Sequence, residues 1–321
     1  MARDGKEVWS VFFKRLKKRN WLFRVGASAL AMATVAGGFC PTVQAAECHS
    51  WYCVRAKDHA QPRVDAALEF VEGYEGYYID HRYADPNASD KVVYLTFDVG
   101  YENGNVAKVL DALAAEEAAG AFFILGHVAE KNPELVRRMA AEGHLVCNHT
   151  YSHKNMTGKS AEELAAELRR MEDACRTSTG VEMARYFRPP EGKFDEKMLR
   201  QAKDLGYKTI FWSFAYADWD NGKQPDPVAA KRKILDNVHN GAVILLHPTS
   251  ATNAAILGDV LREMRAQGYR FGTLDELVGN RAGDLARESA TLPETIPETS
   301  PRPTPDVKLL ERTTRRARRV R

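Results

Sequence analysis

The chain has 321 residues, 44% of them hydrophobic and 9% aromatic. This composition is globular and excludes the disordered and fibrous classes of protein. The net charge of +3 arises at the two ends, since residues up to Arg24 carry 8 basic and 2 acidic side chains and those from Arg281 carry 10 basic and 6 acidic ones. Residues 25–280 keep 28 basic against 35 acidic side chains, which disfavours binding to nucleic acid.

The first 45 residues have the pattern of an export signal. A basic segment that ends at Arg24 is followed by an uncharged, mostly apolar run, Val25–Phe39, and then by Val43-Gln44-Ala45. This order is typical of a signal peptide over residues 1–45. An uncleaved signal anchor is the alternative, but glycines and a proline near the end of the run weaken it, because a span needs about 20 apolar residues. We therefore expect an exported protein, in the cell wall or at the outer face of the membrane.

Five cysteines are too few for a disulfide scaffold in a chain of this length. Export places thiols in an oxidising compartment, where Cys48 and Cys53 are close enough in sequence to form a disulfide. Short separations often fail the required geometry, so free thiols are the alternative. Residues 46–90 are expected to form an extension that packs on the following domain.

Seven short apolar segments in the middle of the chain predict strands, at Val92–Phe97, Ala121–Leu125, Leu145–Cys147, Arg185–Phe187, Lys208–Phe214, Ala242–Leu246 and Tyr269–Gly272. Amphipathic stretches between them predict helices, at Val106–Ala119, Pro133–Glu142, Ala161–Cys175, Glu196–Leu205, Pro227–Val238 and Ala254–Gln267. Ser160 and Glu163 have the spacing of a capping box at the third helix.

This alternation of strands and helices predicts parallel strands with helical crossovers, an α/β fold. About seven units suit a barrel over residues 91–280 better than an open sheet of six strands. In such barrels the carboxyl ends of the strands meet at one rim, where catalytic groups gather.

Residues 281–321 differ from this domain in composition. They are rich in Pro, Thr, Ser and Arg and lack apolar periodicity, which predicts a disordered tail. The last seven residues include five arginines, which could attract anionic wall polymers. A solvated tail without a specific function is the alternative.

Charged and imidazole side chains follow several of the predicted strands. Asp98 ends the first strand, His149 and His153 follow the third, Arg188 the fourth, Asp218 and Trp219 the fifth, and His247 the sixth. Each of them alone has an ordinary structural explanation, such as a helix cap or an ion pair. Their coincidence at one predicted rim indicates a catalytic site.

These residue types suit the hydrolysis of a stable acyl bond. Neutral imidazoles are the commonest protein ligands of Zn²⁺, so His149 and His153 could share an ion. A carboxylate such as Asp98 can act as a general base toward water, and a separate histidine can protonate the leaving group. A serine hydrolase is disfavoured because the sequence has no Gly-x-Ser-x-Gly elbow.

The order and spacing of these motifs resemble those of the polysaccharide deacetylase family (NodB homology, carbohydrate esterase family 4) from roughly Asp58 to Leu277. The motifs are Thr96-Phe97-Asp98, Asn148-His149-Thr150-Tyr151-Ser152-His153, Arg188-Pro189-Pro190-Glu191-Gly192, Asp218-Trp219-Asp220 and Leu245-Leu246-His247-Pro248. The run from Gly100 to Gly104, and Phe211-Trp212-Ser213, are similar to the delta-lactam-biosynthetic peptidoglycan de-N-acetylases of spore-forming bacteria.

The resemblance implies a deformed (β/α)7 barrel that removes acetyl groups from N-acetylated cell-wall sugars. In the spore branch the substrate is muramic acid without its peptide, and the freed amine closes to muramic-δ-lactam. The resemblance implies that Asp98 is the base, His247 the acid and Arg188 the residue that orients the base.

The resemblance also implies that His149 and His153 bind a divalent metal such as Zn²⁺, without an organic cofactor. Peptidoglycan glycan strands are the expected partner of a monomeric enzyme. The expected sugar contacts are Tyr101, Asn103, Glu191, Asp218 and Trp219.

Three residues depart from the pattern of the family. Val99 stands where most members have a second acid that binds the metal, so metal binding is expected to be weakened. Ala215 replaces an acid that tunes the catalytic histidine, and Asp218 or Asp220 could substitute for it. Glu191 stands where the spore branch tends to carry arginine, which places recognition of the muramic lactyl carboxylate in question.

Two other functions stay open at this point. One is a deacetylase of N-acetylglucosamine polymers. The other is a catalytically silent glycan-binding module, which Val99 and Ala215 would allow but the retention of Asp98 and the three histidines argues against.

Overall fold

An eight-stranded sheet forms the centre of residues 47–279, the part of the chain that the computed structural model describes. The predicted signal peptide and the predicted tail lie outside the described residues. The strands are β1 (His49–Ser50), β2 (Cys53–Val54), β3 (Arg63–Val64), β4 (Gly76–Tyr77), β5 (Lys91–Val99), β6 (Ala121–Ile124), β7 (Leu145–Asn148), β8 (Ala184–Phe187), β9 (Lys193–Phe194), β10 (Lys208–Ile210), β11 (Ala242–Leu246) and β12 (Tyr269–Gly272).

The sheet is a curled parallel arrangement with the order β11-β5-β6-β7-β8-β10-β4. A bridge between Phe214 and Ile244 brings the chain after β10 against β11, which joins the two ends of the curl. β12 pairs with the first half of β5, from Lys91 to Tyr94. The predicted α/β barrel is therefore confirmed, with β12 attached beside the ring that the other strands make.

All seven predicted strands are present; β6 ends one residue earlier than predicted, and one other strand is much shorter than predicted. The segment Lys208–Phe214 was expected to be one strand, but β10 ends at Ile210. The chain then leaves β8, and the amides of Ser213 and Phe214 donate to the Val243 carbonyl at 2.9 and 3.2 Å. The apolar run Lys208–Phe214 therefore pairs first with β8 and then with β11. The sequence pattern alone does not show where this change of partner occurs.

The helices are α1 (Val106–Ala115), α2 (Gly126–Lys131), α3 (Pro133–Ala141), α4 (Ala161–Thr179), α5 (Glu196–Asp204), α6 (Pro227–Leu235), α7 (Ala251–Ala266) and α8 (Leu274–Leu277). The capping box of Ser160 and Glu163 is present at α4, as predicted. The short helices α2 and α8 were not predicted. Helix α7 begins earlier than expected because the Ser250 side chain caps it by accepting from the Asn253 amide.

Three backbone pairings are among the contacts that tie residues 47–90 to the rest of the domain. β4 pairs in parallel with β10, β1 pairs antiparallel with β9, and Ile79 bridges to Ala242. Between these contacts the chain forms 3-10 helices at Ala66–Tyr74 and His81–Tyr83. This segment thus contributes a strand to the central sheet.

Two expectations concern thiols and membranes. Cys48 and Cys53 are both free thiols, so the disulfide alternative is wrong for this structure, and the Cys53 thiol instead donates to the Trp212 carbonyl at 3.5 Å. Within residues 47–279, no helix combines the length and the apolar character needed to span a bilayer.

Candidate active site

The strand β5 alternates between two buried environments. Leu95, Phe97 and Val99 pack in the hydrophobic layer beneath helices α1, α2 and α7, whereas Tyr94 lies in the cluster inside the barrel. Because successive side chains of a strand point to opposite faces, Asp98 is directed to the interior side and Val99 is not. Val99, which stands where most of the family has a metal-binding acid, therefore packs against the helices and not inside the barrel.

Arg188 is fully buried beneath the cleft and has a hydrogen-bond partner on each nitrogen. Nη1 donates to Asp98 Oδ1 at 2.8 Å, Nη2 to Thr96 Oγ1 at 2.8 Å, and Nε to the Ile210 carbonyl at 2.9 Å. The guanidinium also lies over the ring of Phe123, 4.2 Å from its centroid. A buried cation is tolerated only when it is paired and hydrogen-bonded in this way, so Arg188 fixes the end of β5.

The carboxylate of Asp98 has one oxygen bound and one oxygen free. Oδ1 accepts from Arg188, whereas Oδ2 lies 3.6 Å from His149 Nε2, too far for a hydrogen bond. Burial alone would raise the pKa of Asp98, but the charge and hydrogen bond of Arg188, together with smaller contributions from His149 and His247, outweigh burial and hold the pKa below its ordinary value. Asp98 is therefore ionised at neutral pH, with Oδ2 facing the cleft.

The two histidines of the third motif lie side by side. The Nδ1–H of His149 donates to the Arg188 carbonyl at 2.9 Å, which leaves Nε2 without a proton. Burial lowers the pKa of His149 to about 4, so this ring is neutral. His153 has a left-handed backbone with φ of 57°, and its ring centroid is 5.0 Å from that of His149.

A catalytic zinc ion usually has three protein ligands. In the described part of the chain, no group of three or more His, Cys, Asp or Glu side chains is arranged to hold a metal ion. His149 and His153 offer two imidazoles, and Val99 is turned into the helix layer. The donor set does not fit a resident three-ligand metal, so we assign no step of the reaction to one.

His247 is held by Asp218 and follows β11, whose Leu246 pairs with Phe97, the residue before Asp98. Its Nδ1–H donates to Asp218 Oδ1 at 2.7 Å, and its backbone amide donates to Oδ2 at 2.8 Å. Asn253 Nδ2 also donates to Asp218 Oδ2, at 2.6 Å. Burial would lower the pKa of His247, but the hydrogen bond and the charge of Asp218 raise it above the ordinary value. When the ring is protonated, Nε2–H of His247 is thus the donor left for a ligand.

These groups line one cleft of about 510 Å³. Tyr101 and Trp219 are exposed at its edge, at 43% and 60%, and Glu191 lies in its wall with its carboxylate 2.5 Å from Lys193 Nζ. Glu191 has a left-handed backbone with φ of 58°, a strained conformation for a residue other than glycine. The full lining is Asp98, Gly100, Tyr101, His149, His153, Glu191, Gly192, Trp212, Ala215, Tyr216, Trp219, Leu245, His247 and Thr249.

Two of the predicted sugar contacts have other positions. Asp218 is fully buried behind His247, so it positions the imidazole instead of meeting the sugar, while Asp220 is exposed. Asn103 does not line the cleft, and its Nδ2 donates to the Thr249 carbonyl at 2.9 Å. Its role is to hold the loop that begins at Gly100. The other predicted site residues all line the cleft or, like Arg188, lie directly beneath it.

Several residues at the site were missed in the sequence. Asn253 supports Asp218, and Thr96 supports Arg188, but each is an ordinary residue of a helix or a strand by pattern. Trp212 and Tyr216 line the cleft. Tyr216 follows the end of the predicted strand Lys208–Phe214, which was a usable signal because strand ends are where the catalytic groups were sought, whereas Trp212 fell inside that predicted strand.

This fold and site define the class of the protein. Residues 85–210 match the family model described as polysaccharide deacetylase. The chain is also 37% identical, over 71% of its own length and 85% of the relative's length, to the peptidoglycan-N-acetylmuramic acid deacetylase PdaA of Bacillus subtilis. The chain belongs to the polysaccharide deacetylase family, and it is a hydrolase.

Solved structures agree with this assignment. The structure of Bacillus subtilis PdaA, a family 4 carbohydrate esterase, has a TM-score of 0.67 and 36% identity, and it covers 73% of this chain and 97% of that one. A family 4 carbohydrate esterase from Bacillus anthracis has a TM-score of 0.59 and 32% identity, covering 73% and 98%. The recognition made from the motifs is thereby confirmed.

Proposed function

We propose that this protein is a peptidoglycan de-N-acetylase that hydrolyses the acetamide of N-acetylmuramic acid, with the freed amine closing to muramic-δ-lactam. The observation that carries the proposal is the presence of two paired units in one cleft, Asp98 with Arg188 and His247 with Asp218. The similarity to PdaA, whose name specifies N-acetylmuramic acid, supports the choice of sugar.

The reaction begins at Asp98. Its free Oδ2 accepts a proton from a water molecule as the water oxygen attacks the acetyl carbonyl carbon. Arg188 keeps Asp98 ionised, but the lowered pKa also makes this carboxylate a weak base.

The reaction ends at His247. Its Nε2–H gives a proton to the amide nitrogen as the C–N bond breaks, so that the products are acetate and a free amine on the sugar. Because Asp218 raises the pKa of His247, the imidazolium persists closer to neutral pH than a free histidine would. The proton donor, and not the base, is the group tuned to the working pH.

The wall formed by Glu191 bears on the choice of sugar. A lone carboxylate there would repel the lactyl carboxylate of muramic acid. The ammonium of Lys193 lies 2.5 Å from Glu191 Oε2 and offsets this charge. The pair thus presents a nearly neutral wall, which is compatible with a muramic residue.

The proposal is tested with the purified full chain. Peptide-stripped peptidoglycan and an N-acetylglucosamine polymer are incubated with it, each with added Zn²⁺ or with a chelator, and released acetate and new amines are measured. Acetate from the muramic-containing substrate, abolished in Asp98→Asn, is expected. Acetate from the glucosamine polymer alone would reassign the substrate, and no acetate from either would overturn the proposal in favour of a silent glycan-binding module.

We further propose that the enzyme works outside the cytoplasm as a monomer, with the arginine-rich C-terminus near anionic wall polymers. The pattern of residues 1–45 and the basic end of the chain support this. Cell fractionation with mass measurement of the recovered chain is the check. Recovery in the cytoplasm at full mass would contradict it.

A further inference from the structure

Trp51 belongs to the segment before the barrel and does not line the cleft, yet it contacts two residues that do. Its backbone amide donates to the Gly192 carbonyl at 2.8 Å. Its indole Nε1–H donates to the Trp212 carbonyl at 2.7 Å. Gly192 and Trp212 lie in the cleft wall with Glu191, so one residue of the extension joins both parts of that wall, Gly192 through its backbone and Trp212 through its side chain.

The packing around Trp51 leaves little freedom. Trp51 is 5% exposed, and its ring stacks on Phe211 with centroids 4.4 Å apart. A Cβ at Gly192 would lie 2.7 Å from the Trp212 ring and 3.3 Å from Trp51 Cβ. The wall is thus closely packed between Trp51 on one side and the cleft on the other.

Trp51 is also linked to Arg188, beneath the cleft, through Phe211. Phe211, on which the Trp51 ring stacks, has a carbonyl that accepts from Arg188 Nη2 at 3.2 Å. The pairing of His49 and Ser50 with Phe194 and Lys193 fixes the approach of the segment.

We infer that Trp51 is a positioning residue for substrate binding, which holds the Glu191–Gly192 turn and Trp212 in the geometry that receives the sugar. This inference rests on the proposed function. The wall contacts the glycan and not the atoms that react, so displacing it weakens binding of substrate and transition state alike. Such a change raises KM and leaves kcat nearly unchanged.

The test compares two buried hydrogen bonds that both tie the extension to the barrel. Trp51→Phe keeps an aromatic ring and removes the donor to Trp212. Tyr94→Phe is the matched control, because the Tyr94 hydroxyl donates to Asp80 Oδ2 at 2.6 Å and Tyr94 does not line the cleft. Kinetics on peptide-stripped peptidoglycan and thermal unfolding are measured for both variants.

For Trp51→Phe we expect KM to rise about 3- to 10-fold, the range for one lost buried hydrogen bond, with kcat within about twofold and an unchanged pH profile. Tyr94→Phe should lose stability without a change in KM. An unchanged KM in Trp51→Phe, or an equal rise in Tyr94→Phe, would overturn the inference.

If Trp51→Phe does not fold, Gly192→Ala decides the question, since its Cβ displaces the same wall from the other side. A raised KM with kcat retained supports the inference, and unchanged kinetics overturn it. The proposed function fails separately, if the wild-type chain releases no acetate. In that case calorimetric titration of Trp51→Phe and wild type with a peptidoglycan oligosaccharide still measures whether the wall sets glycan affinity.

Discussion

The floor of the cleft and its rim are built from opposite kinds of contact. On the floor, Asp98, Arg188 and Asp218 are buried, and each charge has a partner within 2.8 Å. On the rim, Tyr101 and Trp219 expose their rings to solvent. Chemistry on a stable amide needs fixed charges outside water, whereas an extended sugar chain needs aromatic surface that remains accessible. Changes on the floor should therefore affect turnover and stability, and changes on the rim should affect binding.

Arg188→Met is expected to have the largest effect. It leaves Asp98 buried without its counter-charge and leaves the Ile210 carbonyl without its donor, so stability should fall by about 3–5 kcal/mol and turnover should be lost. Denaturant unfolding at pH 7 measures the first effect. The control is Arg262→Met, because the Arg262 side chain that pairs with Glu116 is itself 59% exposed and its loss should change little. Equal losses of stability in the two variants would contradict the prediction that a buried charge contributes more than an exposed one.

Arg188 also determines how stability depends on pH. Because the folded-state pKa of Asp98 lies below its unfolded value, ionised Asp98 contributes stability above the unfolded pKa. That contribution is lost as pH falls through the folded pKa. Arg188→Met removes the largest of the causes that lower the pKa of Asp98, so most of this part of the acid dependence should disappear.

Asp218→Asn should have an intermediate effect, seen mainly as a shift in pH profile. The neutral amide cannot sustain the raised pKa of His247, so the imidazolium loses its proton at lower pH than in the wild type. The alkaline limb of kcat/KM should move to lower pH, with turnover reduced roughly 10²-fold at mildly alkaline pH.

Asp220→Asn is the matched control for that prediction. Asp220 is exposed two residues away, and it was the other candidate to support the histidine. Its substitution should leave the pH profile in place. A shift in Asp220→Asn, or none in Asp218→Asn, would contradict the assignment of Asp218 as the partner of His247.

Trp219→Ala should have the smallest effect, confined to binding. The loss of one aromatic contact is expected to raise KM about 2- to 10-fold and to leave kcat and stability close to wild type. Val228→Ala serves as control, because Val228 is an exposed apolar residue, at 67%, that does not line the cleft. A fall in kcat for Trp219→Ala would place this ring nearer the reacting atoms than the rim.

Much of the barrel was predictable because its strands and helices are encoded locally. Apolar runs of strand length and amphipathic helix patterns depend on neighbours a few residues apart. Asp98, Arg188 and His247 could be proposed together because parallel strands bring their carboxyl ends to one rim. The break after Ile210 was not predictable, since the apolar run to Phe214 is continuous and its change of pairing partner is not a local property.

The sequence by itself determined the alternation of elements, the acidic body between basic ends, and the residues at the strand ends that indicated a deacetylase. Only the tertiary structure decided that Asp218 lies behind His247, 29 residues away, that Val99 belongs to the helix layer, and that Trp51 contacts Trp212, 161 residues away. The physical reason is that hydrogen-bond partners and burial are set by packing between elements distant in the chain, whereas periodicity records only which face of each element is apolar.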